Sequence, residues 1–254
     1  MELGLRGRTA VVCASTAGLG RATAEALAAE GVRVVISGRR ADVASNIAVS
    51  LPGAEAVQCD ITEPGAARRL VAEATQKLGA PLDIAVLNGP GPKPGSAVDV
   101  SSSDLRAAIE SLLVFQQELV AEVLPGMRER SWGRIVAIGS TSVVEPIAGL
   151  ALSSIGRSAL AAYLKTLAGE VAADGVTVNM VLPGRIDTDR VRQLDAAAAD
   201  SDPGAAARQA ASIPAARYGA VEEFGAVAAF LCGQPASYVT GSTIRVDGGL
   251  VHRL

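Results

Sequence analysis

The sequence predicts an α/β fold, a doubly wound sheet of seven parallel strands with helices on both faces. Three observations carry that prediction. Runs rich in β-branched residues alternate with helical runs along the chain, and such alternation means parallel strands joined by right-handed crossovers. Most of the strand runs are nearly continuous in apolar residues, as expected for strands covered on both faces. Apolar residues make up 49% of the 254 while aromatics are only 3%, so the core is built from Val, Leu, Ile and Ala, and disorder is excluded.

The elements follow in order. Strand 9–14 is followed by helix 18–30, strand 32–37 by helix 41–50, and strand 54–59 by helix 64–78. Strand 83–88 precedes a long helix over 103–130, and strand 134–139 precedes helix 152–173. Strand 176–182, helix 222–233 and strand 242–246 complete the alternation. No internal repeat and no dividing linker is visible, so residues 1–254 read as one domain. Segment 188–219 breaks the pattern: it is an excursion rich in Ala, Asp, Pro and Gly. Long irregular excursions in compact α/β domains are often active-site covers, and the segment is read as a lid over a cleft.

Charge and cysteine usage narrow the partners. With 23 basic and 26 acidic residues the net charge is −3, leaving no basic excess for a nucleic-acid backbone. Only Lys77, Lys93 and Lys165 are lysines. Cys13, Cys59 and Cys232 lie far apart in apolar strings without metal-ligand spacing, so no metal site is predicted. An odd number of embedded thiols suggests a reducing compartment. The N-terminus reaches Arg6 and Arg8 without a signal-peptide stretch, and no apolar run approaches the length of a membrane span. A cytoplasmic protein is expected, with no membrane and no nucleic-acid partner.

Strand 9–14 runs into Ser15-Thr16-Ala17-Gly18-Leu19-Gly20 and then directly into a helix. A glycine-rich turn at a helix N-terminus offers free N–H groups and the positive dipole end to a pyrophosphate. Dinucleotide binding is therefore the functional reading of this turn. The segment resembles the Gly-x-x-x-Gly-x-Gly turn of the short-chain dehydrogenase/reductase family, a Rossmann-fold family, with Ala14 where the first Gly is usual. The likeness runs from about Leu5 to Leu250. Cys59-Asp60-Ile61-Thr62 resembles the family's adenine-contacting Asp segment, and Asn88-Gly89 its motif after the fourth strand, with Leu87 and Pro90 departing from it. The run 178–184 with Ile186 and Thr188 resembles the nicotinamide-side loop, and 238–249 the C-terminal signature. The resemblance implies cofactor contacts at Ala14, Ser15, Thr16, Gly18, Leu19, Gly20, Asp60, Ile61, Asn88, Gly89, Pro183, Gly184, Ile186 and Thr188. The second strand ends in Ser37-Gly38-Arg39-Arg40, with no acidic residue before Asp42. An acid there would accept the ribose 2′-OH of NAD, whereas a guanidinium binds a 2′-phosphate. Arg39 thus favours NADP(H) over NAD(H).

The resemblance also implies a Ser, a Tyr-x-x-x-Lys pair and an Asn at the catalytic site. Ser140 fits the Ser. Thirteen residues later, where the Tyr belongs, stands Ser153, and Arg157 occupies the Lys position. Counting back from Val114-Phe115 puts Glu110 where the Asn is usual. A serine hydroxyl cannot be made acidic as a phenol can, and Arg does not exchange its proton at neutral pH. Arg can, however, set a permanent planar cation beside an oxygen that becomes negative. Ser153 and Arg157, at i and i+4, share a helix face. The proton would come from water or from Glu110, the better side-chain candidate if it is buried; Tyr163 faces elsewhere, and His252 reads as an exposed residue or one reaching a partner's cleft. The leading function is an atypical NADP(H)-dependent oxidoreductase, 3-oxoacyl-reductase-like, acting on a carbonyl/alcohol pair of a small-molecule substrate. The alternatives are a non-redox enzyme of the same fold (isomerase, lyase or cyclase) and a non-catalytic nucleotide-binding member. Leu112, Phe115, Leu119 and Val123 on the long helix, with Leu160, Leu164 and Leu167 on the catalytic helix, read as surplus apolar faces, and predict a homo-oligomer, a tetramer or dimer.

Overall fold

The computed structural model describes residues 1–199 and 205–253. Seven strands, β1 (Thr9–Val12), β2 (Arg33–Gly38), β3 (Glu55–Gln58), β4 (Ile84–Leu87), β5 (Gly133–Ile138), β6 (Val176–Pro183) and β7 (Thr243–Val246), form one sheet in the order β3-β2-β1-β4-β5-β6-β7. Every pairing is parallel, for example Ala10 beside Val34 and Ile84, and Val136 beside Asn179. The helices are α1 (Gly18–Ala29), α2 (Ala41–Ser50), α3 (Ala66–Leu78), α4 (Ser102–Ile109), α5 (Phe115–Glu129), α6 (Ala151–Val171), α7 (Asp189–Ala199), α8 (Ala205–Ala211) and α9 (Val221–Cys232).

The strand residues divide by parity, as the pleat requires. Val11, Val35, Ala85, Leu87, Ile135 and Met180 enter a core beneath α3, α5 and α6. Ala10, Val12, Val34, Ile36, Val86 and Val136 enter a second core with α1, α2 and α9. Both faces being covered explains why the strands read as unbroken apolar runs. The chain winds outward from β1 to β3, then returns to place β4 on the other side of β1. That reversal opens a crevice beyond the carboxyl ends of β1 and β4, where α/β sheets bind ligands.

Three features differ from the sequence expectation. The long helix 103–130 is α4 and α5 joined by a π-helical turn, Glu110–Val114. Segment 188–219 carries helices α7 and α8, which its alanine-rich composition favours; residues 200–204 of the expected lid lie outside the described residues. The apolar faces expected to drive assembly are already consumed: Leu112, Phe115, Leu119, Val123, Leu160, Leu164 and Leu167 are all buried within the chain itself. The three cysteines are free and buried. Burial pushes the Cys59 thiol up to about 11 and the Cys232 thiol up to about 12, and raises Cys13 further still. Among the described residues no helix is long and apolar enough to cross a membrane.

Candidate active site

A cleft of about 830 Å³ opens at the carboxyl ends of the central strands. Ala14, Gly18, Leu19, Asn88, Gly89, Ser140, Ser153, Arg157, Pro183, Gly184, Ile186 and Thr188 all line it, so most of the residues singled out in the sequence meet in one place. Ser15, Thr16, Gly20, Arg39, Asp60, Ile61 and Glu110 do not line it. Ser15 is buried behind the turn, its Oγ donating to the Val12 carbonyl and accepting from the Ser37 N–H.

The first turn has the form a phosphate requires. The residue capping α1 is Ala17, which offers no side-chain cap, and the first turn holds no acidic residue. The N–H groups there have no internal acceptor to compete with a ligand. A Cβ at Gly20 would meet the Ala14 carbonyl oxygen and Asn88 Nδ2, each at 2.7 Å, so only glycine lets α1 start this close to the sheet. Ala14 itself sits at φ +46°, the left-handed region that the usual glycine adopts freely. Asn88 Nδ2 donates to the Ala14 carbonyl (3.2 Å) and pins the two loops together. Arg39 is exposed at the end of β2 and, among the described residues, makes no ion pair. Asp60 accepts from the Thr62 N–H and hydroxyl, and these two bonds hold its carboxyl below the usual range. These residues fit a dinucleotide with a 2′-phosphate.

Deeper in the cleft, α6 presents Ser153 and Arg157 one turn apart. Arg157 Nε donates to Ser153 Oγ at 3.2 Å and Nη1 donates to the Ile138 carbonyl at 2.6 Å. Burial lowers this guanidinium to about 10, so it remains a cation at neutral pH. Among the described residues no carboxylate pairs with it, and of its five N–H donors two are engaged within the protein. Ser140 caps the short 3₁₀ turn Thr141–Val143 by accepting from the Ser142 N–H. Tyr163 packs against the core beneath α6, facing away as expected.

Glu110 requires correction. It is exposed and outside the cleft lining, so the burial that a proton-donor role called for is not met. Glu110 opens a π-helical turn, in which the Phe115 N–H bonds the Glu110 carbonyl five residues back, and its side chain lies in solvent. Leu112 instead lies buried against α6, where a Cβ on Gly156 would meet its Cδ1 at 2.8 Å. Sequence reasoning also missed Gln116. Its Nε2 donates to the Asn88 carbonyl at 3.1 Å and to the Ser111 carbonyl at 3.3 Å, tying the widened turn to the loop after β4. The signal was present, a polar residue among the buried positions Phe115, Leu119 and Val120.

The remaining wall comes from segments with no regular alternation. Thr188, Asp189, Arg190, Val191, Leu194 and Gln209 face the cleft from α7, α8 and the turn before them. The two ends of this excursion are held together, Ile186 pairing with Gly219. Arg190 Nη2 reaches across to the Pro92 carbonyl at 2.7 Å. His252 lines this same cleft, within its own chain.

Comparisons with known proteins show the family and its fold. A family profile described as enoyl-(acyl carrier protein) reductase matches residues 13–251. The 3-oxoacyl-[acyl-carrier-protein] reductase FabG of Salmonella typhimurium is 31% identical over 249 residues, covering 98% of this chain and 99% of the relative. Dehydrogenase/reductase SDR family member 4 of Homo sapiens is 31% identical, covering 98% and 90%. The crystal structure of L-sorbose reductase from Gluconobacter frateurii, complexed with NADPH and L-sorbose, superposes with a TM-score of 0.93 at 28% identity over the whole of both chains.

Proposed function

From a chain that belongs to the short-chain dehydrogenase/reductase family, we propose an NADP(H)-dependent oxidoreductase acting on a carbonyl/alcohol pair, 3-oxoacyl-reductase-like in its substrate class. The observation that carries the reading is the meeting of the uncapped α1 N-terminus with Ser140, Ser153 and Arg157 in a single cleft. The cofactor's phosphates would lie on the N–H groups of the first turn, with Gly18, Leu19 and Gly20 admitting them and Thr188 facing them. Arg39 would take the 2′-phosphate, Asp60 and Ile61 the adenine, and Asn88, Gly89, Pro183, Gly184 and Ile186 the nicotinamide half. NADP-complexed relatives, among them a 3-oxoacyl (acyl-carrier-protein) reductase with NADP bound at 30% identity, support NADP(H) over NAD(H). When bound, the nicotinamide supplies or accepts the hydride.

The chain's own residues do the rest. Ser140 and Ser153 hold the substrate oxygen by hydrogen bonds, and Arg157 stabilises the negative charge that grows on that oxygen as the hydride moves. Ser153 and Arg157 stand in place of the family's Tyr-x-x-x-Lys pair, and none of the three tyrosines is followed by Lys four residues on. Segment 188–219 would act as the lid, closing on the cleft through Arg190. A homo-oligomer, tetramer or dimer, is supported by the outer face of α6, where Ile155 is exposed beside Ser158 and Ala162; a monomer in light scattering refutes it. The function is tested by NADPH fluorescence and by NADPH oxidation with acetoacetyl-CoA and a panel of ketones. Binding with turnover is expected, and the change of Ser153→Tyr together with Arg157→Lys should raise turnover on simple ketones. Failure to bind NADPH overturns the reading.

A further inference from the structure

The cleft described above holds and polarises an oxygen, yet neither Ser153 nor Arg157 can deliver a proton to it. Resting on the oxidoreductase reading, we propose that His252 is the catalytic residue that gives the substrate oxygen its proton in reduction and takes it back in oxidation.

The argument is one of placement and chemistry. Leu250, Val251 and His252 form part of the cleft wall together with Ser140, Ser153 and Arg157. This segment is anchored on both sides of the imidazole. Asp247 accepts from the Gly249 N–H at 2.9 Å and from the Val251 N–H at 3.0 Å, its carbonyl accepts from Leu250, and Arg245 donates to the Arg253 carbonyl. Gly248 is held in turn by the Ala215 N–H, 3.1 Å from its carbonyl oxygen. His252 is exposed at the cleft wall, and a histidine whose backbone is fixed at both flanks there differs in kind from one on a free strand of chain.

The other charged groups at the cleft are Arg157 from α6, Glu145 from the loop before α6, Arg185 at the end of β6, and Asp189 and Arg190 from α7. Asp247, Arg245 and Arg253 surround the root of the segment itself. Arg185 is engaged by Asp195 at 2.6 Å and Asp189 by Arg192 at 2.7 Å. The guanidinium groups keep their protons at neutral pH. Carboxyl groups serve as neutral-pH acids when burial holds the proton, and Glu145 and Asp189 are exposed. Imidazole carries both a proton-donating and a proton-accepting ring nitrogen, the chemistry that a general acid and base needs. In the reduction step the hydride that NADPH would give up in becoming NADP⁺ forms the new C–H bond, the C=O π pair moves onto oxygen, and that oxygen takes the imidazolium proton. Neutral imidazole is left, and solvent reprotonates it; oxidation runs the same transfers in reverse.

Because His252 is the only histidine, its ring Cε1–H gives a single resonance in the full-length protein. Adding NADP⁺ should move that resonance, and a resonance indifferent to NADP⁺ overturns the placement. Wild-type reduction of acetoacetyl-CoA should fall as pH rises, because the imidazolium is the donor. His252→Gln and His252→Asn should each lower the rate on the order of 10²-fold, flatten that limb, and leave NADPH binding within about twofold, with partial rescue by added imidazole. Retention of the wild-type pH profile in both variants, or its loss in Glu145→Gln instead, overturns the assignment while leaving the oxidoreductase reading intact. A wild-type protein that binds NADPH but reduces no carbonyl overturns the oxidoreductase reading itself, and the assignment with it; the resonance still reports whether the ring faces the cleft.

Discussion

Replacing Arg157 by Met separates what the guanidinium does for folding from what it does for chemistry. Met keeps the apolar stem and removes the charge and every N–H donor, the two engaged ones included. Burial lowers the guanidinium from 12.5 to about 10, which corresponds to a folding penalty of about 3 kcal/mol for keeping the charge there. Opposing it are the two hydrogen bonds to Ser153 Oγ and the Ile138 carbonyl, charge-assisted and each about 1.5–3 kcal/mol. Together the two bonds amount to about 3–6 kcal/mol and exceed the penalty by about 0–3 kcal/mol, and the cleft is open, so water can reach the Ile138 carbonyl in the variant and recover part of that loss. Stability should therefore fall by no more than about 3 kcal/mol. Turnover should fall on the order of 10²–10³, the usual consequence of losing an electrostatic donor at a developing oxyanion. Arg157→Lys should recover part of it, since an ammonium keeps the charge but not the planar fork. Urea denaturation and steady-state NADPH oxidation on the same preparations make the comparison. A variant that loses more than about 3 kcal/mol of stability while turning over like wild type would show a structural cation, and would refute the reasoning.

Other perturbations have equally definite outcomes. Ala14→Gly relieves a left-handed backbone worth about 1–2 kcal/mol, offset by about 0.4–1 kcal/mol of extra unfolded-chain entropy; a gain of about 0.5–1 kcal/mol is expected in urea titration, and a loss would place the strain elsewhere. Arg39→Asp should move the preference from NADPH toward NADH, read as the ratio of kcat/KM for the two, and an unchanged ratio refutes the role given to Arg39. Glu223 is held at about 2, chiefly by the hydrogen bonds from Arg217 and then by the Ala220 N–H. A carboxyl lowered in the folded state adds stability above its unfolded value of 4.5 and loses it as pH falls toward 2. Glu223→Gln should flatten the Tm-against-pH curve in that window, and a curve as steep as wild type counts against the pairing.

Much of the fold was legible because burial on two faces writes itself into sequence as unbroken apolar strands, and because each glycine-rich or motif-bearing loop follows a strand end. The cleft residues were legible for the same reason: Ser140, Pro183 and Thr188 stand where strands stop. What was not legible has specific causes. Counting back from Val114-Phe115 named Glu110 by position but could not say which way its side chain points, and at the start of the π-helical turn it lies in solvent. Apolar stripes on α5 and α6 state that a face is buried, not against what, and the residues offered to a partner subunit proved to be buried within the chain, Leu112 beside Gly156 of α6 and the others in the core shared with α3 and the strands. The helices α7 and α8 hide in a composition shared by loops. The position of His252 depends on a turn closed by Asp247, a contact no periodicity announces.

The three cysteines have a practical consequence. Thiol reagents attack the thiolate, and these sulfurs are both shielded and held protonated. Alkylation of the native protein should thus proceed only through opening events. Cys13 and Cys59 lie in the core under α3, α5 and α6, while Cys232 lies in the core under α1, α2 and α9. Pulse labelling followed by peptide mass spectrometry would accordingly time the loosening of each side of the sheet separately. The sequence carries, without any engineered label, a pair of clocks that tell whether the two layers come apart together or one before the other.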